Sequence, residues 1–384
     1  MSSHLESWTI GIEEEYQIID PVTRALAPDS QQIFSLIEPG EQKSIEAELQ
    51  TSQIESATPI CLTLSEARSA VMHQREVLIT AAARANRWIA ASGTHPFSHW
   101  HDQEITHTER YAIMEQRYRQ LAREQVILGC HIHIGCPDRE LAIQIMNRAR
   151  LWLAPLLALS ANSPFWLGDD TGYASYRTPI WCRWPMAGPP PHLASSTEYD
   201  QLVRMLIQTN TIADASHIYW DIRLSDRYPT IEFRVMDVCL SIDETVMLAG
   251  LIRALAQTCA EQALKKIPYI QAPNELLRAA HWRAARYGLN STLVDPDARN
   301  SLPAHELIER LLLLLHPVLK ERGEWDEIST QVQLLLRNGN GATRQREIFQ
   351  RTEQHEAVVD FVVTETARGL NIPISTGSYN KISS

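Results

Sequence analysis

The sequence predicts an α+β fold built on an antiparallel sheet. Three observations carry this expectation. Alternating, β-branched segments concentrate in roughly residues 8–240, helical composition dominates roughly 241–384, and two strand patterns face each other across a short turn.

Taken in order, residues 8–20 (WTIGIEEEYQIID) alternate and stop at Asp20-Pro21, as a strand closed by a turn does. A second extended stretch is expected within residues 44–58. Thr63-x-x-Glu66 has the capping-box pattern, and the Ala/Arg-rich segment behind it predicts one long helix reaching Ala91. Residues 126–135 (VILGCHIHIG) predict a strand, and Pro137-Asp138 opens a helix running toward Leu159. Residues 166–193 are rich in Gly, Pro, Trp and Arg and have no period, which predicts a long loop. Residues 218–224 and 230–240 predict a hairpin around the turn 225–229, followed by helices near 243–266, 303–321, 325–337 and 343–369. No internal repeat is present.

The bulk numbers exclude some partners. A net charge of -11 and a pI near 5.7 disfavour attraction to nucleic-acid phosphates or anionic lipid. Neither nucleic acid nor a membrane is therefore an expected partner. The first eight residues contain no apolar signal region, and the longest apolar run, 151–161, falls well short of the ~20 residues that span a bilayer. Six cysteines without a CxxC pair are expected to stay reduced, in a cytoplasmic protein.

Four segments place charged or imidazole groups two residues apart on expected strands, where alternate side chains share a face: Glu13 and Glu15, Glu46 and Glu48, His131 and His133, Glu232 and Arg234. A single such pair is ordinarily the solvated face of a strand. Here His131 and His133 lie in VILGCHIHIG and Glu232 in TIEFRVMDV, whose apolar neighbours predict burial, and buried carboxylates need a partner or a cation. Arg234 can neutralise one of them. The others, brought together on one sheet, would repel by about 4 kcal/mol for each pair ~4 Å apart at an effective dielectric of 20. Carboxylates with few imidazoles suit Mg²⁺ or Mn²⁺ better than zinc. Magnesium beside an arginine is the equipment of phosphoryl transfer. Neither a Walker A sequence nor a GxGxxG occurs. A metal-dependent hydrolase, or a non-catalytic protein that binds nucleotide or amino acid, remains open on these residues alone.

The segments IGIEEEYQIID, ELQTSQIESATP, GTHPF, LGCHIHIGCPD, TIEFRVMDVCLSID, WRAARYGL and GATRQR together resemble the carboxylate-amine ligases of the type-2 glutamate-cysteine ligase group, in the glutamine synthetase-like superfamily. The resemblance implies a single catalytic domain over 1–384, with a curved antiparallel sheet forming a funnel-shaped site and helices packed outside. It implies ATP and Mg²⁺ (or Mn²⁺) as cofactors. By motif, Glu13, Glu15, Glu48, Glu55, His131 and Glu232 fall on metal positions, Arg234 on the transferring phosphate, and His133 near nucleotide phosphate. Arg344 and Arg346 match a tail motif that reaches nucleotide. Seven residues do not keep Glu48 and Glu55 on one strand face, so a bend or bulge is expected between them.

The implied reaction forms an amide through an acyl phosphate. Glutamate and cysteine are the first substrate pair, with another amino acid or another amine as the alternative. Arg177 or Arg183 is a candidate to fork onto a substrate carboxylate, against the plainer reading of an arginine stacked on tryptophan. The loop 175–191 is the candidate lid. His95, His99, His101 and His107 read as polar surface.

Overall fold

The computed structural model describes residues 8–372; residues 1–7, where the absence of a secretory signal was read, and 373–384 lie outside the described residues. Seven strands form one sheet: β1 (Ile10–Ile19), β2 (Ile45–Ala47), β3 (Gln53–Ala57), β4 (Trp88–Ala90), β5 (Gly129–Gly135), β6 (Ile222–Leu224) and β7 (Thr230–Asp237). Their order is β2-β3-β1-β5-β7-β6, with β4 also pairing β1, and every pairing is antiparallel. The architecture is the α+β arrangement that the segregation of patterns predicts.

Alternation along β1 decides what each face carries. Ile10, Ile12, Glu14, Tyr16 and Ile18 are buried toward the helices, while Glu13 and Glu15 take the other face. The helical layer over the first face includes α1 (Leu64–Arg84), α2 (Arg139–Ala149), α3 (Leu153–Ser160) and α4 (Ile242–Leu264). Ile10, Ile132, Ile134, Ile231 and Phe233 of the sheet join one apolar core with Leu64 and Val71 of α1, Ile143 of α2, Leu157 of α3 and Leu251 of α4. Thr63 caps α1 by accepting from the Glu66 amide at 3.1 Å, and Glu66 Oε2 accepts in turn from the Leu62 amide at 2.7 Å.

Several boundaries differ from expectation. The first long helix stops at Arg84 instead of Ala91, because Asn86 takes the left-handed conformation (φ 54°), which Asn tolerates better than most residues. The chain then returns as β4 beside Gln17–Ile19. The stretch within 44–58 is two antiparallel strands, so Glu48 and Glu55 are separated by a chain reversal and not by a bulge. The helix heading for Leu159 breaks into a 3₁₀ turn at Arg150–Trp152, ahead of Pro155, whose ring clashes with a helical carbonyl four residues back. Residues 343–369 form two helices, Gly341–Thr352 and His355–Thr366, parted at Glu353 (φ 55°). The helices Glu109–Tyr118, Ser196–Gln208 and Asn274–Tyr287 and the hairpin Thr292–Asp295/Asn300–Pro303 were not expected. Among the described residues no helix is long and apolar enough to cross a membrane.

Candidate active site

The strand register assembles the site. Glu13 stands opposite His131 across β1 and β5, and Glu15 opposite Glu55 across β1 and β3. Glu232 stands opposite His133 across β5 and β7, and opposite Arg223 across β6 and β7. Directly opposed strand residues carry Cβ atoms about 4.5–5.5 Å apart, so register alone brings these groups into contact. Glu48 enters from the reversal after β2. All of them line one cleft of about 290 Å³, together with Arg177, Arg234 and an aromatic wall that includes Trp181 and Trp184.

Within the cleft, two sets of three residues each offer donor atoms within 4.8 Å of one another: Glu13, His133 and Glu232, and Glu15, Glu48 and Glu55. The sequence placed His131 among the ligands and His133 near nucleotide; in the structure His133 completes the first set and His131 lies between the two. His131 Nδ1 is 3.1 Å from Glu13 Oε2, and its Nε2 is 3.8 Å from Glu15 Oε1. The His133 ring is held at Nδ1, 3.0 Å from Thr230 Oγ1. Its Nε2 is buried, 3.2 Å from Glu13 Oε1, with no hydrogen-bond partner among the described residues. An imidazole fixed through one nitrogen, with the other turned to a carboxylate of the same set, suits a metal ligand, and five carboxylates with one imidazole suit a hard divalent cation.

The two sets differ electrostatically. Burial pushes Glu15 up to about 8, with the charge of Glu48 acting the same way. Burial and the charges of Glu13 and Glu48 push Glu55 well above the usual carboxylate range. In the other set, burial is outweighed: His131 and His133 hold Glu13 well below its ordinary value, and Arg234 and Arg223 hold Glu232 down. Burial, aided by Arg234, lowers His131 to about 4, so its ring is neutral near pH 7. Arg223 makes a fork to Glu232, Nε to Oε2 at 2.7 Å and Nη2 to Oε1 at 3.1 Å, and Arg234 contacts the same carboxylate. Arg177 and Arg234 act on Glu15 without outweighing burial and the like charge of Glu48, so the Glu15/Glu48/Glu55 set is the less compensated of the two.

Arg177, on the short helix Arg177–Trp181, is buried behind these groups. Its Nη2 donates to the Arg234 carbonyl at 3.2 Å, and its Nη1 is 4.0 Å from Asp237. Gly129 makes room for it: a Cβ there would lie 2.5 Å from Arg177 Nη2. The Gly129 amide also donates to Glu15 Oε2 at 2.5 Å.

Comparison with known proteins gives this geometry a family. The profile of "Glutamate-cysteine ligase family 2 (GCS2)" matches residues 9–365. The chain belongs to that family. It is an ATP-dependent carboxylate-amine ligase by that membership. A relative from Rhodopirellula baltica, provisionally named glutamate–cysteine ligase 2, is 43% identical over 363 residues, 93% of this chain and 96% of the relative. One from Solibacter usitatus under the same provisional name is 38% identical over 381 residues, 98% of each chain. The fold resembles that of the Francisella tularensis glutamate–cysteine ligase solved with AMP (TM-score 0.70, 15% identity, 96% of this chain and 91% of that one).

In this family member three of the arginines singled out from sequence stand away from the cleft. Arg183 pairs with Glu124 at the surface. Arg344 is engaged by Glu244 and Glu365, and Arg346 by Asp170 at 2.5 Å and the Tyr173 carbonyl at 2.8 Å. All three tie helices and loops together. His95 is structural: its Nε2 meets the Arg24 carbonyl at 2.9 Å, and its Nδ1 accepts from the amides of Phe97 and Ser98. Arg223 was missed. Its signal was present, since Ile222-Arg223-Leu224 alternates opposite Glu232, but nothing in the sequence fixed that register.

Proposed function

We propose that this ligase phosphorylates an amino-acid carboxylate, glutamate in the first instance, with the γ-phosphate of ATP, and joins the resulting acyl phosphate to an amine. The carrying observation is the pair of three-residue donor sets lying beside Arg223 and Arg234 on one cleft floor. Glu13, His133 and Glu232 would hold one divalent cation and Glu15, Glu48 and Glu55 a second; bound there, such ions neutralise phosphate oxygens and orient them.

The protein's own groups account for the rest. A carboxylate oxygen of the substrate attacks the γ-phosphorus, and ADP departs with the bonding pair. Arg234, already fixed by Glu232, meets the charge on the group in transfer without reorganising. His131, neutral near pH 7, adds no cation to the floor. The loop 175–191 covers the cleft and keeps water from the acyl phosphate. Cysteine is the amine that the relatives' names carry.

A metal-dependent hydrolase is the weaker reading, because each donor set is dominated by carboxylates where zinc favours nitrogen and sulfur. The test is ADP release by the purified protein with Mg²⁺-ATP and glutamate, with and without an amine, read with product mass and a Glu232→Gln control. ADP and an amide mass that both vanish in the control are expected. No ATP turnover by a folded, metal-supplied sample with any acid and amine would sink the reading.

A further inference from the structure

Six lysine and arginine side chains line the cleft: Lys43, Arg110, Arg177, Arg223, Arg227 and Arg234. Three of them are already engaged. Glu232 holds Arg223 and Arg234, and Arg177 is buried against Asp237 and the Arg234 carbonyl. Lys43, Arg110 and Arg227 are exposed and have no carboxylate within ion-pair distance among the described residues. Arg227 stands on the turn between β6 and β7 next to Tyr228, whose ring is 6.4 Å from that of His133, so it belongs to the Glu13/His133/Glu232 end of the cleft.

Arg110 belongs to the other end. The helix Glu109–Tyr118 that carries it is tied to the chain around Glu48. The Thr106 amide donates to the Leu49 carbonyl at 2.8 Å, Thr106 Oγ1 to the Glu48 carbonyl at 2.5 Å, and the Tyr111 hydroxyl to the Ala47 carbonyl at 3.1 Å. Thr108 caps the helix by accepting from the Tyr111 amide at 3.3 Å, and the Arg110 guanidinium carbon lies 5.6 Å from the Tyr111 ring centroid. Burial pushes the Tyr219 hydroxyl up, and the charges of Arg234, Arg110 and Arg223 all oppose it, so Arg110 shares a neighbour with the two arginines on Glu232.

We infer that Arg110 binds the α-carboxylate of the amino acid whose side-chain carboxylate is phosphorylated, and so decides which of the two carboxylates reaches Arg234. This rests on the acyl-phosphate reading given above. Glutamate brings two carboxylates to a floor that already carries Glu13, Glu15, Glu48, Glu55 and Glu232. Arg234 and the donor sets meet the reacting one. The other is repelled by that floor unless it has a cation of its own. Arg177 and Arg183 are engaged elsewhere, which leaves the role open. Arg110 has the fitting shape, a planar fork whose parallel N–H groups match two carboxylate oxygens. Lys43, on the 3₁₀ turn Gln42–Ser44, offers a point charge without the fork.

The experiment supplies Mg²⁺-ATP and hydroxylamine, which traps an acyl phosphate as the hydroxamate, with glutamate or with 4-aminobutyrate, which is glutamate without its α-carboxylate. The glutamate reaction is repeated with cysteine as the amine. Arg110→Gln is expected to raise KM for glutamate by about tenfold or more, the scale of a lost hydrogen bond to a charged group, with a smaller change in kcat. The preference for glutamate over 4-aminobutyrate is expected to shrink by the same factor, and Arg110→Lys to recover part of the loss. The side chain is exposed, and circular dichroism checks that each variant is folded. An unchanged KM for glutamate, or equal losses with the two acids, overturns the inference and leaves the ligase reading standing. So does a loss that appears only when cysteine replaces hydroxylamine, since Arg110 would then read the carboxylate of the amine. Absence of both hydroxamate and ADP from the parent protein overturns the ligase reading, and the inference falls with it.

Discussion

Glu14 and Arg75 form an ion pair closed to solvent, with Arg75 Nη2 2.6 Å from Glu14 Oε1, on the face of β1 opposite the cleft. Glu14 also accepts from Thr245 at 2.7 Å and from Tyr16 at 2.5 Å, and Arg75 reaches the carbonyls of Cys239, Leu240 and Thr366. One strand thus sends Glu13 and Glu15 into the site and Glu14 into a clamp that ties sheet to helices.

Glu14→Gln leaves Arg75 buried without its counter-charge and is expected to cost about 3–5 kcal/mol. Burial alone would raise the Glu14 pKa, but Arg75 outweighs it and holds the carboxyl below its usual range. The stability that this shift contributes is therefore complete above the unfolded carboxylate pKa of about 4.3, and is lost as pH falls through the lower folded value. Urea denaturation from pH 7 down to pH 3 should show a weaker acid dependence in the variant than in the parent.

Gly129→Ala is expected to destabilise by about 1–3 kcal/mol, since the new Cβ would sit 2.5 Å from a buried guanidinium with little room to retreat. Displacing Arg177 removes its bond to the Arg234 carbonyl and its charge from beside Glu15. ADP release should fall in the folded variant, measured at a temperature where circular dichroism reports it native.

Divalent cations should stabilise the protein, and more so at higher pH. Glu15 and Glu55 are raised in the folded protein, so the metal-free fold is favoured at low pH and loses that advantage as pH rises, through about 8 for Glu15. A cation removes the repulsion that appears on deprotonation. At 100 times its dissociation constant Mg²⁺ adds about 2.7 kcal/mol. Calorimetry should show an increase in Tm that is larger at pH 8.5 than at pH 6, reversed by EDTA and reduced in Glu55→Gln. An equal shift at both pH values would count against this assignment.

Arg183→Ala separates sequence expectation from structure. The side chain pairs with Glu124 away from the cleft, so kcat/KM should stay within about twofold and stability within about 1 kcal/mol. A loss of tenfold or more in kcat/KM would return Arg183 to the substrate site.

Much of this was legible in the residues. The period of two in IGIEEEYQIID and GCHIHIG, the capping box at Thr63 and the late helical run fixed the α+β class and named most of the side chains that share the cleft. What escaped depended on pairing. The partition into Glu13/His133/Glu232 and Glu15/Glu48/Glu55 follows from which strand residues stand opposite each other, and a period of two is silent on register. Alternation puts Glu14 on the face opposite Glu13 and Glu15, but sequence does not show that Arg75, on α1, waits behind it. Arg344 and Arg346 matched a motif, yet Glu244, Glu365 and Asp170, distant in sequence, claim them.

The central claim is that a substrate carboxylate becomes an acyl phosphate in this cleft. The most direct measurement uses glutamate labelled with ¹⁸O in both oxygens of its γ-carboxylate, together with Mg²⁺-ATP and an amine that the protein ligates, and determines the label in the released phosphate by mass spectrometry. Transfer of one ¹⁸O into inorganic phosphate, lost in Glu232→Gln, is the expected result. Amide formation with unlabelled phosphate, or with the label in AMP, would contradict it.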